Sequence, residues 1–165
     1  MTLAEAAAQA DGLAQQGEER DLAQLRSQWD EELEAAARSA DYRQRAVAYR
    51  AIGQFRFRQK LELLRRGLED ESPACRGSAL LALELLSRDH PGAVNAERSL
   101  LHTLVSDSEE NPAVRRLAIM SLKNGSPQRD TIVILDGLAA DDEADRELRA
   151  AAKRVADILR QKARR

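Results

Sequence analysis

The sequence predicts an all-α solenoid of about four helical hairpins. Three observations lead there. The 165 residues are 43% hydrophobic and 33% charged but only 3% aromatic, so the apolar part is mostly Ala, Leu, Val and Ile, a mixture that favours helices. No stretch alternates β-branched and polar residues for long; Thr131-Ile132-Val133-Ile134 is the nearest candidate for a strand. Third, an arginine followed three residues later by alanine and then by a small or apolar residue recurs as Arg45-Ala48-Ile52, Arg76-Ala79-Leu83, Arg115-Ala118-Leu122 and Arg149-Ala152-Ala156. Those arginines stand 31, 39 and 34 residues apart, the spacing of one helical hairpin per repeat.

The elements follow in order. Residues 1–17 form an extra helix or a loose arm, which places an N-terminal segment at 1–19 ahead of a repeat region at 20–165. The first hairpin spans 20–38 and 41–53; Leu22, Leu25, Trp29, Leu33 and Ala36 fall on one face at helical spacing. The second spans 55–69 and 73–88. Its apolar run ends at Leu68, Asp70 and Ser72 can accept hydrogen bonds from free amides at the next helix start, and Pro73 suits a first helical turn. The third, 92–106 and 111–124, repeats that grammar in Ser106-Asp107 and Asn111-Pro112-Ala113-Val114-Arg115. The fourth, 127–140 and 143–162, replaces the proline turn with Asp141-Asp142-Glu143-Ala144-Asp145. Gly53, Gly92 and Gly125 mark the breaks between hairpins.

These repeats resemble the HEAT family, in particular its phycobilisome-lyase-like subgroup, in which an apolar helix A, an Asp-containing turn and a helix B opening with Pro-x-Val-Arg recur. The resemblance covers roughly residues 20–160 and is strongest at 61–86 and 101–123. It implies a right-handed α-α superhelix whose B helices line the concave surface, and an Asp and Arg ladder tying neighbouring turns together. Arg45, Arg76, Arg115 and Arg149 with Asp70, Asp107 and Asp142 would form that ladder. The first and last hairpins depart from the pattern as capping repeats do. Tetratricopeptide repeats have a similar period but need large aromatic residues at set places, and aromatics are scarce here.

Chemistry is sparse in this chain. Cys75 is the one cysteine, which excludes an intrachain disulfide and any multi-cysteine metal site and fits a reducing compartment. It aligns with Val114 of the next repeat and reads as a small core residue. His90 and His102 lack a second ligand pattern, and the His-Glu pairs that hold the metal of the HEAT-like deoxyhypusine hydroxylase are missing. No phosphate-binding glycine loop and no nucleophile elbow is present. The expectation is a non-enzymatic protein with no catalytic residue, no metal and no cofactor. The opening residues hold no basic leader followed by an apolar run, and nowhere do 18 apolar residues run together, so a cytoplasmic location and no membrane span are expected.

Charge is uneven along the chain. Residues 1–41 hold ten carboxylates against Arg20, Arg26 and Arg38, whereas 146–165 hold eight cations against Glu147 and Asp157. On the B helices, taking the residue before each motif arginine as inward, positions one, four, five and eight after it point outward. Tyr49, Leu80, Leu81, Ile119 and Met120 then form an apolar strip flanked by Arg50, Arg116, Lys123, Lys153 and Arg154. The alternative is that some of these side chains pack against adjacent repeats. An exposed strip suits a protein partner, an acidic amphipathic segment, and makes the chain an interaction scaffold or adaptor. A second reading is nucleic-acid backbone binding through Arg43, Arg45, Arg50, Arg56, Arg58, Lys60, Arg65 and Arg66, against which stand a net charge of −2 and few aromatics. A third is a phycobilisome-lyase-like or chaperone role, which the resemblance alone implies.

Overall fold

The computed structural model describes residues 1–165 as nine α-helices joined by short turns, with no strand. The chain is all-α and built of helical hairpins, as the repeat pattern predicts for an α-solenoid. It divides into two compact units, Met1–Leu86 and Ser87–Arg165.

In the first unit, α1 (Leu3–Gln15) opens with a reciprocal cap. The Thr2 hydroxyl accepts the Glu5 N–H and the Glu5 carboxylate accepts the Thr2 N–H, both at 3.2 Å. Its buried face is Leu3, Ala6, Ala7 and Ala10, small enough to let α1 lie closely on α2 (Glu19–Ala37) and α3 (Tyr42–Gln54). Gly17, at φ 73°, supplies the left-handed turn into α2. The expected α2 stripe is buried at Leu22, Leu25, Trp29 and Leu33, with Ala36 at its margin. Asp41 caps α3 by accepting the Arg43 N–H at 2.9 Å.

The helix expected over 55–69 is interrupted. Phe55 and Phe57 are both buried, with ring centroids 5.4 Å apart, and the chain between them turns through Arg56 at φ 59°. Arg56 donates to the Gly53 carbonyl at 2.8 Å and pairs with Asp11 at 2.9 Å; Arg26 donates to the Phe55 carbonyl at 3.0 Å. Burying two aromatics at positions i and i+2 on the same side is incompatible with continuous helix, where such residues diverge by about 200°. A 3-10 turn, Arg58–Lys60, then leads into the short α4 (Leu61–Leu68), and α5 runs from Pro73 to Ser87. Gly53 does not break the hairpin; it lies inside α3, where an added Cβ would sit 2.5 Å from the Ala82 Cα. Its missing side chain is what lets α3 and α5 touch backbone to backbone.

The second unit shows the repeat stacking directly. It contains α6 (Gly92–Ser106), α7 (Pro112–Leu122), α8 (Arg129–Ala139) and α9 (Arg146–Ala163). Each A helix packs on its own B helix, α6 on α7 and α8 on α9, while α6 also meets α8 and α7 meets α9. Two layers result, A on A and B on B, the arrangement by which repeats bury one another. Asn111 and Asp145 cap the B helices by accepting the N–H groups of Ala113 and of Glu147 and Leu148, and Pro112 occupies the first turn of α7. Val94, Leu101, Val105, Leu122, Leu135, Val155 and Leu159 fill the space between the layers.

Candidate partner-binding face

Three of the four repeated arginines are structural, tying down the turn or the last helical turn that precedes their own helix. Arg45 donates to the Ser39 and Ala40 carbonyls, both at 3.1 Å, and forms a fork on Asp70, Nε to Oδ2 at 2.9 Å and Nη2 to Oδ1 at 3.1 Å. Arg76 donates to the Asp70 carbonyl at 2.8 Å, and Arg115 to the Val105 carbonyl from Nε at 3.0 Å and Nη2 at 2.8 Å. Burial works against the Asp70 carboxylate, yet the Arg45 fork and the Ser72 N–H outweigh it and hold the carboxyl below its usual range. The expected ladder is therefore formed at Asp70. Asp107 instead accepts the Glu109 N–H at 2.9 Å within its own turn, and Asp142 is exposed.

The predicted outward strip needs correction at Tyr49, Leu80 and Ile119. All three are core residues, at 4%, 0% and 0% exposure. They occupy the fourth position after the motif arginine, which was expected to face outward. A B helix is flanked by more than its own A helix: α7 lies between α6 and α9, so its buried arc widens to take in that position. Tyr49 shows the fit, since a Cβ on Gly67 would meet its ring at 3.0 Å. Lys153, at the same position of α9, is exposed.

The rest of the strip is accessible. In the first unit Arg50 is exposed and Leu81 half-buried; in the second Arg116, Lys153 and Arg154 are exposed, and Met120 and Lys123 half-buried. The α7 and α9 residues belong to adjacent helices, bridged by an exposed ion pair of 2.7 Å between Arg116 and Glu147. Ile158, 41% exposed on α9, and the half-buried Leu117 on α7 add apolar area that the motif register did not include. The signal that would have found Ile158 is the exposed polar row of α9 on which it falls.

Other candidate groups are absorbed by the fold. Cys75 is fully buried, its Sγ 3.2 Å from the Tyr42 carbonyl; burial, with Asp70 nearby, pushes the thiol up, so its reactive thiolate is disfavoured. His102 meets the Thr131 hydroxyl at 2.8 Å, linking α6 to α8, and burial, helped by Arg98, lowers its pKa. Lys60 lies in a cleft of about 400 Å³, bonded to Asp30 and Glu34 at 2.7 Å each and 4.9 Å from the Phe57 ring centre. Burial opposes the Lys60 charge, but those two carboxylates raise its pKa overall. Of the basic run, Arg45, Arg56 and Lys60 are thus spent on Asp70, Asp11 and Asp30 with Glu34. No three His, Cys, Asp or Glu side chains gather in a group that could hold a metal ion, and no helix is long and apolar enough to cross a membrane.

Residues 30–96 match the family of HEAT repeats. The matched segment runs from the second half of α2 through α5 into α6, and so takes in the Arg45–Asp70 fork. HEAT repeats are commonly protein-interaction scaffolds and generally not enzymes. No curated protein matches the chain.

Proposed function

We propose that this HEAT-like chain is a non-enzymatic scaffold or adaptor of the cytoplasm that holds a protein partner on its B-helix surface. The observation that carries the reading is that the adjacent helices α7 and α9 carry the half-buried Met120 and Lys123 and the exposed Arg116, Lys153 and Arg154. Such a surface offers apolar area to be desolvated and cations to orient what covers it. An amphipathic segment with an apolar face and acidic edges complements both. Arg50 and Leu81 offer the same pairing in the first unit.

Met120→Glu tests it. The substitution reverses the character of the patch at a half-buried site, so helicity and melting temperature should hold while affinity for an acidic amphipathic peptide falls by roughly 10-fold or more. Unchanged binding by a folded variant would sink the reading. The nucleic-acid alternative loses three of its eight cations to internal ion pairs, and a mobility shift that persists at moderate salt would be needed to restore it.

A further inference from the structure

The four motif arginines do not end alike. Arg45 and Arg76 donate to carbonyls of the preceding turn and Arg115 to one in the last turn of the preceding helix, whereas the Arg149 side chain has no hydrogen-bond partner and its Nε is buried. The cause lies in the turn. Residues 38–41 and 69–72 join their helices with four residues and 107–111 with five, but 140–145 use six, which sets Arg149 farther along from the end of α8. The acids of that turn do not compensate: Asp141 accepts the Glu143 N–H at 3.0 Å and Asp142 is exposed. A guanidinium left in this state is costly, because a buried N–H without an acceptor loses its hydration for nothing.

Its neighbours on the helix sharpen the point. Arg146 and Lys153, three residues before and four after, share that edge of α9, and both are exposed with no ion-pair partner. The acids of α9 are engaged elsewhere, Glu147 with Arg116 and Asp157 with Arg160, while Arg160 also holds Asp136 and Lys162 donates to the Lys123 carbonyl. Three uncompensated cations therefore converge on one edge.

We infer that the Arg146–Arg149–Lys153 edge of α9 binds a carboxylate of an acidic protein segment. Arg45 shows the geometry within the same molecule: at the equivalent helical position its Nε and Nη2 take the two oxygens of Asp70, at 2.9 and 3.1 Å, from a residue outside the helix. Arg149 presents the same fork once its head turns outward between its two cationic neighbours. The carboxylate supplies the acceptor that the longer turn denies it. Lys153 is common to this edge and to the proposed partner face, so the inference rests on that reading for its occupant and adds the group by which the occupant is oriented. An acidic protein segment is favoured over nucleic acid because the chain carries a net charge of −2 and 3% aromatics, and because the group held by the Arg45 fork is a carboxylate, Asp70.

The test uses the full chain and three labelled probes: an amphipathic peptide with a leucine face and aspartate edges, the same peptide with asparagine for aspartate, and a single-stranded DNA. Arg149→Lys keeps a charge but removes the fork, and should weaken the aspartate peptide by roughly 10-fold while leaving the asparagine peptide unchanged. Circular dichroism confirms the fold, and the pair Arg146→Gln with Lys153→Gln, which leaves Arg149 in place, should reproduce the selective loss. Equal effects on both peptides, or none, overturn the inference. If Met120→Glu weakens binding and Arg149→Lys does not, the scaffold reading stands and this site falls. If no peptide binds the wild-type chain, both fall; tighter binding of the DNA than of the aspartate peptide also overturns the carboxylate assignment.

Discussion

Ile119 and Met120 are adjacent on α7, and their burial differs: the first is fully buried and the second half-buried. Replacing Ile119 by alanine deletes three carbons from a closed core. At about 0.8 kcal/mol per methylene the transfer term is about 2.4 kcal/mol. The cavity left between α6, α7 and α9 adds roughly 1 kcal/mol more, because packed helices collapse only in part, for a total near 3–4 kcal/mol. For a unit of this size that is a fall in melting temperature of more than about 10 °C. Met120→Ala should cost under about 1 kcal/mol, since the side chain is already partly in water and flexible. Urea denaturation followed by circular dichroism at 222 nm measures both, and the urea dependence should be unchanged. Equal losses for the two variants, or an Ile119→Ala protein as stable as wild type, would refute the burial of the fourth motif position and reopen the original strip.

Three further outcomes follow from the same geometry. Asp70→Asn removes the charge from the Arg45 fork and should lower the melting temperature by several degrees at pH 7; because the folded carboxyl sits below its unfolded pKa, the wild-type advantage is present above about pH 4 and disappears as the pH falls through the folded value. A thermal melt series from pH 7 to 2.5 that shows the same gap throughout would contradict it. His102 has a folded pKa below its unfolded value, so its contribution is intact at neutral pH and is lost as the pH falls below about 6.5; His102→Gln should flatten that part of the stability profile, and an unaltered profile would exclude His102 as its source. Gly53→Leu must push α3 from α5 and should cost at least about 3 kcal/mol, whereas Gly12→Ala, with open space at its Cβ, should be neutral or stabilising; comparable melting temperatures for the two variants would deny the close contact.

Helix positions were largely legible in the sequence because the punctuation is local. Asn111-Pro112 and Asp70 with Pro73 act within one turn, and α7 and α5 begin at those prolines. The break at Arg56 was not legible, since it depends on Phe55 and Phe57 finding core on the same side, which is settled by helices distant in sequence. The burial of three residues expected on the candidate face was not legible for a similar reason. Angular position on a helix follows from residue number, but the width of the buried arc follows from how many neighbours the helix has, and Tyr49, Leu80 and Ile119 lie in the margin between a two-sided and a three-sided packing. The role of the arginines was legible in kind and not in detail. Residue type announced a charge needing a partner, while the placement of the neighbouring turns decided whether that partner was the Asp70 carboxylate, the Val105 carbonyl or none.

The Arg45 fork makes two turns into one opening event. Its guanidinium holds the Ser39 and Ala40 carbonyls at one side and Asp70 at the other, while Asp70 in turn accepts the Ser72 N–H and gives its carbonyl to Arg76. Neither turn can swing away without stranding the charge that the other shares. In hydrogen exchange the amides of Arg43 and Ser72, 29 residues apart in the chain, should therefore lose protection together as a single cooperative group, and Arg45→Met should split them into two independent ones.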